Sequence, residues 1–179
     1  MIARVLRLAV VLSLVGAIAA PIALPAGARD QRQQTLTALD AGVLGKLNAI
    51  RAAHGLTPLH VSTGLTAAAA YHSRELAAGG YFAHTSSDGS AFWKRIERWY
   101  APQQGGGSWS VGENLLWSTP SVDASQALVA WMKSPEHRAN ILSPDWHEIG
   151  IAAVHVTKGS GVYGNGPVTI ITTDFGARS

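Results

Sequence analysis

The order of patterns along the chain predicts an α+β fold. Up to residue 142, apolar side chains recur mostly at steps of three and four, the period of helices. Two β-branched, apolar runs then cluster near the end, "HEIGIAAVHV" and "VTIITTDFG". Helices first and strands late exclude a repeating βαβ architecture. With 179 residues the chain suits one domain with its own core, and 47% hydrophobic against 14% charged residues excludes a disordered chain.

The first 28 residues have the layout of a secretory signal peptide. Arg4 and Arg7 precede the apolar run "LAVVLSLVGAIAA", and "AGA" at Ala26–Ala28 places small residues before Arg29. Pro21 and Pro25 interrupt the run, which favours cleavage over a retained anchor helix. Residues 29–34, "RDQRQQ", are expected to be a disordered lead-in, and 35–179 the folded domain. Removing the leader leaves 12 basic and 11 acidic residues and no basic run. A nucleic-acid partner is therefore not expected. The chain has no cysteine, which excludes disulfides, a thiol nucleophile, zinc–thiolate sites and a lipidated cysteine anchor.

Each element has its own signal. Leu36, Leu39, Val43, Leu47 and Ile50 mark a helix over 35–54, stopped by Gly55. Pro58 makes "LTPLHVS" an extended connection. Ser62 or Thr63 caps a second helix through Leu65, Ala69, His72 and Leu76, ending at Gly79-Gly80. His72 lies on its apolar stripe, the place of a hydrogen-bonded core histidine. Tyr81 and Phe82 anchor a turn carrying His84, and Asp88-Gly89 is a tight turn. Phe92, Ile96 and Trp99 predict a short third helix, followed by a flexible loop over 101–110 and an extended "VGENLLW". Ser121 is the expected cap of the next helix, with Asp123 in its first turn. Ala124, Leu128, Trp131 and Met132 form its buried face, and Pro135 ends it. "TKGSGVYGNGP" between the two late runs predicts a hairpin with a loose loop.

Candidate chemistry gathers at turns and helix ends. His84, His137 and His147 sit there, with Glu113, Glu136 and Glu148 in similar positions. His54 and His60 fall on exposed connections, and His155 on a strand. Two histidines and a carboxylate suit Zn²⁺ with an open position, or acid–base work by a carboxylate-tuned imidazole. No HExxH, GxSxG or glycine-rich phosphate loop accompanies them. In "WMKSPEHRANIL", Trp131, Ile141 and Leu142 are expected to be packed anchors that hold His137 toward a cleft. Arg138 and Asn140 are expected to tie down loop carbonyls.

The ordered set "YFAHT", "VGENLLW", "SPEHRANIL" and "TTDFG" resembles the bacterial branch of the CAP (SCP-like extracellular) superfamily over about residues 36–176. The resemblance implies an α-β-α sandwich with a mostly antiparallel sheet between helical layers. It implies secretion and a central cleft lined by histidine and glutamate. His84, Glu113 and His137 match the family's cleft residues, and Glu148 stands where the wider family's second cleft histidine opens a late strand. His147 is one residue early and on the opposite strand face. The implied cleft set is His84, Glu113, His137 and Glu148, with His84 and His137 the implied ligands should Zn²⁺ bind. The wider family's other cleft acid falls near Ser134–Glu136. The expected function is a secreted, non-enzymatic binding module whose cleft takes a metal ion, a lipid or a cell-envelope ligand. The alternative is a metal-assisted hydrolase or peptidase using the same cleft.

Overall fold

The computed structural model describes residues 26–101 and 107–178, with side chains from Ala38 onward. The leader expected over 1–28 lies outside the described residues, apart from the backbone of 26–28. Among the described residues no helix is long and apolar enough to cross a membrane.

Among the described residues, five α-helices and four strands follow in the order α1 Ala26–Ala53, β1 His60–Val61, α2 Thr63–Gly79, α3 Phe92–Glu97, β2 Trp109–Ser118, α4 Ala124–Lys133, α5 Pro135–Leu142, β3 Glu148–Val156 and β4 Val168–Arg178, with one 3-10 turn, Gly161–Tyr163, between the last two strands. The strands form one sheet in the order β1-β3-β4-β2. The β2–β4 and β3–β4 pairs are antiparallel, and only the two-residue β1 runs parallel, to β3. The β2–β4 register puts Glu113 opposite Asp174, and β3 puts Gly150 opposite the same Asp174.

Strand alternation sends side chains to two helical layers. Ile149, Ile151, Ala153, Ile171 and Phe175 meet α1 and α4 through Val43, Leu47, Leu128 and Trp131. Val168 and Ile170 meet Leu76 of α2 on the other face. The result is the α-β-α sandwich in an α+β fold. Gly150 is required where α2 crosses β3, because a Cβ there would meet the Leu65 carbonyl carbon at 2.0 Å.

Local signals account for most boundaries. Ser62 caps α2 by accepting from Leu65 N–H, and Gly80 ends it in the left-handed region at φ 64°. The cap of α4 is a correction: Asp123, not Ser121, is the N-cap, because Gln126 three residues on completes a reciprocal capping box. Pro135 ends α4 as expected and also opens α5, where its missing N–H costs nothing. The strand containing "VGENLLW" starts at Trp109, two residues before the apolar run.

Arg138 departs from expectation as well. It is exposed, and the arginine that binds loop carbonyls is Arg51 at the end of α1, fully buried. Its guanidinium donates to the carbonyls of Thr57 (2.9 Å), Ile141 (2.9 Å), Ser143 (2.8 Å) and Trp146 (3.4 Å). It thereby fixes the chain leaving α5 and entering β3.

Candidate functional site

β2 lies at the edge of the sheet, and a cavity of about 720 Å³ opens over its residues Val111–Leu115. Phe82, His84 and Phe92 wall it from the α2–α3 side. Glu136, His137 and Asn140 of α5 wall it from the other side, with Trp146. The edge strand lets residues from both helical layers reach one cavity.

His84 Nδ1 and Glu113 Oε1 are 2.7 Å apart. Glu113 is buried, and its second oxygen accepts from the Arg95 guanidinium, so the carboxylate acts as acceptor and Nδ1–H donates. Nε2 of His84 is thereby left for a ligand, on a side chain 52% exposed. Arg95, fully buried, also donates to the His84 carbonyl (3.1 Å) and to Ser86 Oγ (3.2 Å), which fixes the turn around the imidazole.

Behind this pair lies a fully buried acid. Neither oxygen of Asp174 meets an N–H or O–H donor, and Glu113 faces it across the strands. Burial first, and then the neighbouring Glu113, push its carboxyl well above the usual carboxylate range, while Arg95 opposes. Burial and the neighbouring carboxylate thus favour the neutral form of Asp174.

His137 is half-buried and makes no hydrogen bond to another described residue through its ring. Burial first, and then His84, lower its pKa from the ordinary value, with Glu136 partly opposing. It therefore faces the cavity as a neutral imidazole at neutral pH. Its backbone is fixed from below: Asn114 donates to the His137 carbonyl (3.0 Å), and Asn140 donates to the Glu113 carbonyl (3.1 Å) and to Asn114 Oδ1 (2.9 Å). Asn140 thus has the carbonyl-binding role expected of it. Gly112 permits this closeness, since a Cβ there would stand 3.0 Å from the Trp146 ring and 3.1 Å from Asn140 Oδ1.

Three of the four expected cleft residues, His84, Glu113 and His137, line this cavity, and Glu136 joins them. Glu148 does not. It opens β3, which β4 separates from the edge strand, and it is not among the residues that line the cavity. It accepts from Tyr100 Oη (2.5 Å) and pairs with Arg178 Nε (3.2 Å). His147 lines a separate groove with Trp109 and Arg178. His72 is the buried core histidine its position predicted, bound to Glu75 (3.0 Å) and the Ala83 carbonyl (2.9 Å). Sequence reasoning did not single out Arg95 or Asp174. An acid inside the β-branched run "VTIITTDFG" was a usable signal for Asp174; nothing distinguished Arg95 from exposed neighbours such as Lys94.

The donor set does not suit Zn²⁺. Glu113 is buried and bound to both His84 and Arg95, and Glu136, the other carboxylate of the lining, does not gather with the two imidazoles, where a catalytic zinc site uses three protein ligands. Among the described residues no three histidine or acidic side chains gather to hold an ion. The cavity lining also offers no hydroxyl, thiol or amine nucleophile.

Residues 44–172 match the family model of the cysteine-rich secretory protein (CAP) family. The uncharacterized membrane protein YlbC of Bacillus subtilis is 27% identical over 71% of this chain, and the uncharacterized protein YkwD of the same organism 28% over 67%. This chain spans only 35% and 44% of their lengths. An extracellular protein with an SCP domain from Bacillus anthracis superposes with a TM-score of 0.63 at 25% identity, over 82% of this chain and 42% of its own. An outer surface protein of Borrelia burgdorferi shares the fold with a TM-score of 0.60 at 19% identity, over 76% of this chain and 90% of its own.

Proposed function

The chain belongs to the cysteine-rich secretory protein (CAP) family, and on that premise we propose that it is a secreted binding domain whose His84–His137 cavity takes an organic ligand of the cell envelope and performs no reaction on it. The observation that carries this reading is the double commitment of Glu113. A carboxylate bound on both oxygens, its side chain 1% exposed, orients His84 and presents almost no surface to a metal or a water. What remains facing the cavity is the free ring nitrogen of His84, the imidazole of His137, the polar side chains of Glu136 and Asn140 at one wall, and apolar walls from Phe82, Phe92, Leu115 and Trp146. A mostly apolar concavity with a few convergent polar groups is the usual form of a small-molecule site. Export is supported by the leader pattern at the N-terminus and by the descriptions of the Bacillus anthracis and Borrelia proteins as extracellular and outer-surface.

The metal-assisted hydrolase reading requires three ligands gathered around one point, and among the described residues no three histidine or acidic side chains gather in that way. Calorimetric titration of Zn²⁺ into the protein decides between the two. We expect no one-to-one binding, and expect soluble envelope-type probes (lysophosphatidylglycerol and N-acetylglucosamine oligomers) to include one that binds saturably in wild type and not in the His84→Ala/His137→Ala variant. Stoichiometric Zn²⁺ binding that disappears in the double variant would replace this reading with the metal one. His84 is half exposed, so its removal should lower stability by no more than about 1–2 kcal/mol, the loss of one hydrogen bond to buried Glu113.

A further inference from the structure

We propose that the aromatic shelf beside the cavity is a second subsite, and that the ligand spanning both is a linear, neutral oligosaccharide of at least two rings. This deepens the binding reading above and rests on it. A groove of about 470 Å³ shares Phe92 and Val111 with the cavity, so the two adjoin along β2. Trp93, Trp109, Glu97 and Ser110 form the rest of its lining. Trp93 is 42% exposed, and Lys94 Nζ stands 5.5 Å from its ring centroid, which steadies it. Large aromatic surface left open beside a cavity marks a contact site.

The shelf's chemistry selects the ligand class. A pyranose presents an apolar C–H face and a rim of hydroxyls. Flat indole surface meets the first, and a carboxylate and a hydroxyl such as Glu97 and Ser110 meet the second. An acyl chain fits less well, because it would lie against the Glu97 carboxylate and strip it of water. An extended peptide would add to the free edge of β2. On that edge the Glu113 and Leu115 carbonyls already accept from Asn140 and Trp131. Inside the cavity, His84 Nε2 and a neutral His137 suit hydroxyl or amide groups better than an ionised one.

The test is a titration of the secreted protein with N-acetylglucosamine oligomers of one to four rings, and with lysophosphatidylglycerol. Wild type, Trp93→Ala, Trp93→Phe and His84→Ala are compared. Affinity should rise about tenfold from one ring to three. That gain should vanish in Trp93→Ala and largely persist in Trp93→Phe, while His84→Ala weakens all lengths. No gain with length, or a gain that survives Trp93→Ala, overturns the shelf. Lipid binding that Trp93→Ala weakens, with no oligosaccharide bound, overturns the glycan class. Single-ring binding sensitive to His84→Ala without any length effect removes this proposal and leaves the cavity reading standing. A wild type that binds none of the probes removes both.

Discussion

Asp174 and Glu113 are chemically alike, yet the fold gives them different surroundings. Glu113 meets Arg95 and His84, whereas Asp174 meets no donor among the described residues and its burial favours the neutral carboxyl. The arrangement contains its own substitute. In Glu113→Gln the neighbouring Asp174 can ionise and partner Arg95, so we expect a loss of about 1–2 kcal/mol. Adding Asp174→Asn strands a buried guanidinium and should bring the loss to about 3–5 kcal/mol. Denaturant unfolding of the two single variants and the double should therefore be strongly non-additive. Additive losses would mean that Asp174 does not substitute for Glu113. The candidate site was legible in part for the same reason. His84, Glu113 and His137 were visible as residue types in the right order. Which oxygens were already spent was not, because Arg95 and Asp174 reach Glu113 from other elements.

Among the elements, α1 shows how a helix is tied to a sheet. Asp40 Oδ1 accepts from the Ala153 N–H of β3 (2.9 Å). Burial raises the Asp40 pKa from 3.8 to about 6, with the Ala153 hydrogen bond partly opposing. Between those values the folded chain holds a proton that the unfolded chain has released. This contribution to stability is present below about pH 4 and is lost as pH rises to about 6, by at most about 3 kcal/mol. Burial lowers the pKa of His72, whose contribution runs the other way and is lost as pH falls. The measurement is thus the difference between wild type and Asp40→Asn. The variant should gain in relative stability from pH 4 to pH 6, and a difference that stays flat would contradict the assignment. Periodic elements such as α2, α4, β3 and β4 could be read from the sequence because each buries a patterned face. Two could not. β1 is held by backbone pairing to β3, which leaves no side-chain pattern. α5 buries only Ile141, and its Pro135 looked like a stop alone. Arg51 was equally hidden, since three of its four carbonyl partners lie at least 90 residues away.

At the scale of the molecule, one tryptophan joins the two sides of the site. Trp131 is 1% exposed within the core between α1, α4 and the sheet, and its Nε1–H donates to the Leu115 carbonyl at 3.0 Å. Trp131→Ala should cost roughly 3–5 kcal/mol by cavity formation. An unshifted thermal melt would refute its anchoring role. The core contains no covalent staple, so its stability rests on packing of this kind and on buried polar ties such as Arg51.

The same contacts bear on how the protein behaves in a crowd. Among the described residues β2 has no neighbouring strand on its outer side, and an open edge is a template on which further chains can zip. Trp131 and Asn140 occupy two of that strand's carbonyls, and both belong to the α4–α5 segment. That segment is therefore also a guard against aggregation. The dangerous state is then not the unfolded chain but a nearly native one in which α4 and α5 have swung away and the ten-residue edge of β2 lies bare.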